Sequence, residues 1–316
     1  MGQTFPVRRR LGIVSVAALL GACGGGGATT AAGPPRGHLG TETVPLTWNG
    51  DHRTYLLHRP SRLAPGVTPA VVVVLHGASL TAEQTERYYH WDGLADTDGF
   101  AVVYPQGIAK SWNAGSCCGD APARGTDDVG FVGAAFDDAV RRVGGDRARL
   151  YLTGVSNGAM LALRYACERP GRLAALGSVA GTLTAPCDHL PQLPFIEIHG
   201  LHDRAVPWGP GPGTPASGSA SRAWASDTVD RIRAADGCHD PSVTTAGPVH
   251  TEVDRCPPGI DLEVITIDGA GHQWPGAILD AARAAYDGPE DQPDTHVDAT
   301  AQLWAFFAPH HLGAGP

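Results

Sequence analysis

From residue 70 onward, short and wholly apolar runs alternate with stretches in which apolar positions recur every three or four residues. Residues 70–75 read Ala-Val-Val-Val-Val-Leu, the pattern of a strand buried on both faces of a parallel sheet. A helical stretch over 82–95 and a second apolar run at 100–104 follow. Strand, helix, strand implies a right-handed crossover and puts 70–75 at the centre of the sheet. Upstream, the strand-like runs 43–48 and 53–58 flank Asn49-Gly50-Asp51, which accepts positive φ, so an antiparallel hairpin is expected at one edge. Downstream, Val129, Val132, Phe136, Val140 and Val143 keep helical spacing behind Asp127 and Asp128, whose carboxylates are expected to cap that helix. Residues 150–152, 173–180, 194–198 and 262–267 are further strands, with helices expected over about 221–236 and 295–307. The fold class is α/β, a mostly parallel central sheet with helices on both faces and an N-terminal antiparallel hairpin.

The first residues follow a different pattern. Arg8, Arg9 and Arg10 precede an apolar run, residues 11–20, too short to span a bilayer. Residues 1–22 are therefore expected to be a signal peptide. They end in Leu20-Gly21-Ala22-Cys23, which resembles the lipobox of bacterial lipoproteins, with Cys23 as the lipidated residue; the arginines also resemble a twin-arginine export signal. Residues 23–40, rich in Gly, Ala, Thr and Pro, are expected to be a flexible tether, and residues 41–316 a single catalytic domain. Seven cysteines leave six once Cys23 is assigned to lipid, enough for three disulfides in an oxidising compartment. Cys238 and Cys256 bracket a short Pro/Gly-containing segment and are expected to pair. Cys117, Cys118, Cys167 and Cys187 leave three pairings open. A formal charge of −9, with no basic run beyond Arg8-Arg9-Arg10, argues against nucleic acid or an anionic membrane surface as partner. Membrane contact is expected only through lipid at Cys23, and the chain is expected to be a monomer outside the cytoplasm.

Candidate chemistry centres on Gly154-Val155-Ser156-Asn157-Gly158, placed between the strand at 150–152 and a helix that carries Met160, Leu163 and Cys167 on one side and ends at Pro170-Gly171. A serine at the apex of a tight strand-to-helix turn presents its hydroxyl clear of the backbone, with glycines where strand and helix meet. A hydroxyl is a weak nucleophile at neutral pH, so a histidine must take its proton and an acid must orient that histidine. Ser156, Asp203 and His272 each follow a strand in the required order. Asp268 is the rival acid, His199 and His202 the rival bases, and a zinc site from His199, His202 and Asp203 lacks a defined tetrahedral spacing. No metal or cofactor is expected. Backbone N–H groups of Asn157 and Ala78, with Ser79 as the fallback, are expected to form an oxyanion hole, and His76 to shape the adjoining turn.

Several of these segments together resemble a known family. They are Leu75-His76-Gly77, Trp112-Asn113-Ala114-Gly115-Ser116-Cys117-Cys118-Gly119, Asp127-Asp128-Val129-Gly130-Phe131, Gly154-Val155-Ser156-Asn157-Gly158, His199-Gly200 followed by Asp203, and Gly271-His272-Gln273-Trp274-Pro275-Gly276. Over residues 45–308 the chain resembles bacterial secreted esterases of the polyhydroxybutyrate depolymerase and feruloyl esterase group, related to carbohydrate esterase family 1 and including LpqC-type lipoproteins. The resemblance implies an α/β-hydrolase fold and cleavage of small or polymeric esters through an acyl-enzyme on Ser156. It also makes Trp274, Trp112 and His76 candidate substrate-facing residues, with a packing role the alternative for Trp274. An acyltransferase on the same scaffold and a non-catalytic surface-binding lipoprotein are the competing functions.

Overall fold

The computed structural model describes residues 40–63, 66–210 and 224–313. The expected signal peptide, Cys23 and the expected tether up to residue 39 lie outside the described residues, as do residues 211–223 of the Pro/Gly/Ser-rich stretch.

The hairpin at the start is β1 (Gly40–Trp48) and β2 (Asp51–Arg59), paired antiparallel across Asn49-Gly50. Both turn residues have positive φ (50° and 87°), as a two-residue turn matched to strand twist requires. The parallel strands follow: β3 (Val71–Leu75), β4 (Ala101–Pro105), β5 (Leu150–Gly154), β6 (Ala175–Val179) and β7 (Phe195–Gly200). The sheet is completed by β8 (His239–Ala246), β9 (Val249–Arg255) and β10 (Leu262–Ile267). Its order is β1-β2-β4-β3-β5-β6-β7-β10-β9-β8. The strands from β4 to β10 in that order run parallel, and antiparallel hairpins flank them on each side.

Alternation along the strands divides the core in two. Val71, Val73 and Leu75 join one buried cluster and Val72 and Val74 the other, so each face of β3 needs its own cover of helices. One face is covered by α3 (Asp128–Val143), α4 (Asn157–Glu168) and α5 (Ala225–Asp236), the other by α1 (Ala82–Tyr89), α2 (Trp91–Asp98) and α7 (Ala299–Phe307). A short helix, α6 (Ala281–Asp287), runs along the rim.

The structure corrects two expectations and completes two others. The helix expected over 82–95 is two helices, because His90 adopts a left-handed conformation (φ 57°) and ends the first. Asp127 caps α3, accepting from the Gly130 N–H at 2.8 Å, but Asp128 turns inward to a buried ion pair with Arg53, also at 2.8 Å. The segment between Cys238 and Cys256 is the β8–β9 hairpin, with the expected disulfide closing its base. The two other pairings, left open by the sequence, are Cys117–Cys118 and Cys167–Cys187.

Candidate active site

The turn after β5 is a tight junction. A Cβ on Gly154 would lie 2.7 Å from the Gly158 carbonyl carbon, and one on Gly158 would lie 2.5 Å from the carbonyl oxygens of Leu75 and His76. No side chain fits at either place. Ser156 takes φ 54° and ψ −123°, a backbone conformation that costs a non-glycine residue energy and is held by its N–H bonding to Val179 O at 2.9 Å. The turn sets the hydroxyl at the mouth of a cleft of about 70 Å³ between Ala78, Leu80, Tyr89, Trp274, Leu279 and Arg283.

Three loops at strand carboxyl ends converge there. His272, after β10, places Nε2 2.8 Å from Ser156 Oγ and Nδ1 2.7 Å from Asp203 Oδ2, after β7. Asp203 is buried, and its other oxygen accepts from the N–H groups of Ala205 (2.8 Å) and Val206 (2.7 Å). Burial alone would raise this carboxyl, but the nearby His272 and the hydrogen bonds from His199 and His272 outweigh it and hold it well below the usual carboxylate range. An acceptor that stays ionised fixes Nδ1 as the protonated ring nitrogen and leaves Nε2 to accept from the serine. Asp268, the rival acid, sits at the surface against His250 Nε2 at 3.0 Å. Of the rival bases, His199 is buried behind Asp203 and His202 is exposed.

The donors expected for an oxyanion sit beside this trio. Ala78 lines the cleft with Ser156, and among the described residues neither its N–H nor that of Asn157 donates to a protein acceptor. The Ser79 N–H is already committed to Lys110 O at 2.9 Å, which leaves Ala78.

Two expected substrate contacts are corrected. Trp112 is fully buried, its indole N–H donating to His76 O at 2.8 Å, and its backbone is clasped by the Asn157 side chain, which accepts from the Trp112 N–H at 2.7 Å and donates to its carbonyl at 3.1 Å. His76 is buried too. Its Nδ1 donates to Gly77 O at 2.8 Å and its Nε2 accepts from the Gly107 N–H at 2.9 Å, so the ring is neutral; burial pushes it down to about 4. Both residues build the wall behind the cleft and do not face into it. Trp274 does both jobs at once: it lines the cleft, yet is nearly buried, stacked on Tyr89 with ring centroids 4.3 Å apart and donating to Thr300 Oγ1 at 3.2 Å.

Other residues at the site escaped sequence reasoning. Asp291 accepts the His272 N–H at 2.6 Å and so anchors the histidine loop. Tyr89, Leu279 and Arg283 line the cleft, with Arg283 forked onto Asp287 at 2.6 and 2.8 Å. Asp291, Arg283 and Asp287 lie in a short Ala-rich stretch, residues 281–291, too brief to show a periodic signal. Glu197 did leave a sign, as a charged residue inside an apolar strand.

The family described as Esterase PHB depolymerase matches the chain over residues 54–189. NocK of Nocardia uniformis subsp. tsuyamanensis, a protein assigned as an esterase, is 30% identical over 273 residues, 79% of either chain. Poly(3-hydroxyalkanoate) depolymerase C of Paucimonas lemoignei is 33% identical over 130 residues, 39% of this chain and 30% of that one. Among solved structures, an acetyl xylan esterase from Aspergillus awamori superposes with a TM-score of 0.56 at 16% identity, covering 77% of this chain and 96% of its own, which establishes the shared α/β-hydrolase fold.

Proposed function

We propose, from the premise that this chain belongs to the PHB depolymerase esterase family, that it is a serine esterase which cleaves carboxylic esters through an acyl-enzyme on Ser156. The observation that carries this reading is the unbroken line of contacts from Ser156 Oγ to His272 Nε2 (2.8 Å) and from His272 Nδ1 to Asp203 Oδ2 (2.7 Å). His272 takes the hydroxyl proton as Ser156 attacks the ester carbonyl, and Asp203 stabilises the imidazolium that results. The developing oxyanion is met by the N–H groups of Ala78 and Asn157, each lowering the barrier by on the order of 3 kcal/mol. His272 returns the proton to the leaving alcohol, then activates the water that hydrolyses the acyl-enzyme.

The acyl group is short. The cleft beside Ser156 measures about 70 Å³ and is walled by Leu80, Tyr89 and Trp274, dimensions that suit an acetyl or hydroxybutyryl group better than a long chain. The enzyme works outside the cytoplasm, a reading supported by the pairing of all six cysteines beyond Cys23. Ser156→Ala is expected to leave the melting temperature and circular dichroism unchanged while lowering p-nitrophenyl acetate turnover by about 10³ or more. Near-native turnover in that variant would move the nucleophile elsewhere. Across acetyl, butyryl and octanoyl esters, kcat/KM is expected to fall at octanoyl; a rise there would contradict the short acyl site.

A further inference from the structure

Behind the Ser156, Asp203 and His272 trio lies a second buried pair that the esterase mechanism does not use. We infer that Glu197 and His199 are positioning residues, a carboxylate and imidazole clamp that braces Asp203 on the side away from His272. The inference rests on the proposed serine mechanism and deepens it.

The geometry dictates where the protons sit. His199 is fully buried, with Nε2 2.8 Å from Val206 O and Nδ1 2.8 Å from Glu197 Oε1. A backbone carbonyl only accepts, so Nε2 carries a proton. That same Nε2 lies 3.4 Å from Asp203 Oδ2, the oxygen that receives His272 Nδ1. Nδ1 faces a carboxylate with 2% side-chain exposure, which cannot stay charged there without a partner. An imidazolium between two carboxylates satisfies every atom, and the Asp203 carboxylate 3.4 Å from Nε2 favours it over a neutral ring facing a protonated Glu197. Burial alone would push this imidazole down, but the hydrogen bonds and charges of Asp203 and Glu197 override it and carry it up to about 10, while burial raises the Glu197 carboxyl. The Trp208 ring, centroid 5.4 Å away, closes the remaining side. The groups facing His199 are thus Glu197 from its own strand, Asp203, Val206 and Trp208 from the next loop, with His272 beyond Asp203.

Asp203 has two free rotations, and its orientation decides whether His272 keeps the tautomer that catalysis needs. The N–H groups of Ala205 and Val206 fix Oδ1, and the His199 cation flanks Oδ2. Glu197 holds the ring at its other nitrogen, Nδ1, and so keeps Nε2 turned toward Asp203 and Val206.

The test uses the full chain and p-nitrophenyl acetate. Glu197→Gln, which removes the charged anchor of the ring at Nδ1, and His199→Gln, which leaves the Glu197 carboxylate buried without its cation, are each expected to lower kcat roughly tenfold with KM within about twofold, and to lower Tm. The double variant removes both charges, so Tm should recover while kcat stays low; kcat recovering together with Tm would make the pair structural only and overturn the inference. A second measurement needs no variant. In native protein with ¹⁵N-labelled histidine, His199 should show both ring nitrogens protonated at pH 7, and a singly protonated ring would equally overturn it. Ser156→Ala keeps the failures apart, since retained turnover there sinks the serine mechanism itself, whereas an inactive Ser156→Ala beside a fully active double variant sinks the clamp alone.

Discussion

A charged side chain inside an apolar strand has to be accounted for, since full burial of an unpaired ion is prohibitively costly. Glu197 is answered by His199, two residues along the same face of β7. Asp236 is not answered. One oxygen accepts from the Leu193 N–H at 3.3 Å, and the other has no partner among the described residues. Burial, the dominant influence, pushes its carboxyl up to about 7 against that single hydrogen bond. A carboxyl raised on folding contributes stability that is fully present below the unfolded value of about 3.9 and is lost as pH rises toward the folded value. Asp236→Asn keeps the neutral shape, so its Tm should match the native protein near pH 4 and exceed it at pH 8 by about 2 °C or more. His76 acts in the opposite sense: the unfolded chain takes up a proton that the buried ring refuses, so stability falls as pH drops from about 6.5 toward 4. Subtracting the two melting curves cancels His76 and isolates Asp236. Parallel curves at every pH would show that folding does not shift the Asp236 carboxyl.

Elements with a strong period were legible and those without one were not. Residues 262–267 form β10 at the expected bounds, because alternation and flanking glycines mark both ends. The break at His90 was hidden, since neither Gly nor Pro marks a left-handed residue there. The β8–β9 hairpin was hidden for a related reason. Every residue of β8 is exposed, so burial imposes no alternation on it, and Pro241 sits where an edge strand tolerates a missing donor. Such a strand has little core to hold it, and the Cys238–Cys256 bridge, spanning 18 residues, supplies what packing does not. Replacing both cysteines by serine should cost roughly 3 kcal/mol by loop-closure entropy, while kcat on p-nitrophenyl acetate stays within about twofold, since neither cysteine lines the cleft. A loss of turnover as large as the loss of stability would tie the hairpin to the site.

At the scale of the molecule, the trio could be read from motif order, but the wall behind it could not. That wall is assembled by contacts between segments far apart in the chain. Arg53 on β2 pairs with Asp128 on α3 at 2.8 Å and donates to Gln106 O at 3.1 Å, its guanidinium lying 3.9 Å from the Phe131 ring centroid. Asp128 accepts the Asn113 N–H at 2.7 Å, and the neighbouring Trp112 is clasped by Asn157, which follows Ser156. The edge hairpin is thereby connected to the turn that carries Ser156 and Asn157. Burial already raises the Asp128 carboxyl, against the Asn113 N–H and the Arg53 charge that lower it. Arg53→Met removes the charge and leaves Asp128 buried beside a single N–H, at a cost of about 3–5 kcal/mol. The sign of its pH dependence follows. A carboxyl raised further on folding contributes stability that is lost as pH rises, so the Tm deficit of Arg53→Met should be larger at pH 8 than at pH 5. Adding Asp128→Asn keeps an oxygen for the Asn113 N–H and removes the unpaired charge, so the double variant should recover most of the Tm lost at pH 8. Equal Tm for the single and double variants at pH 8 would mean that packing of Arg53 against Phe131, and not its charge, joins the hairpin to the wall.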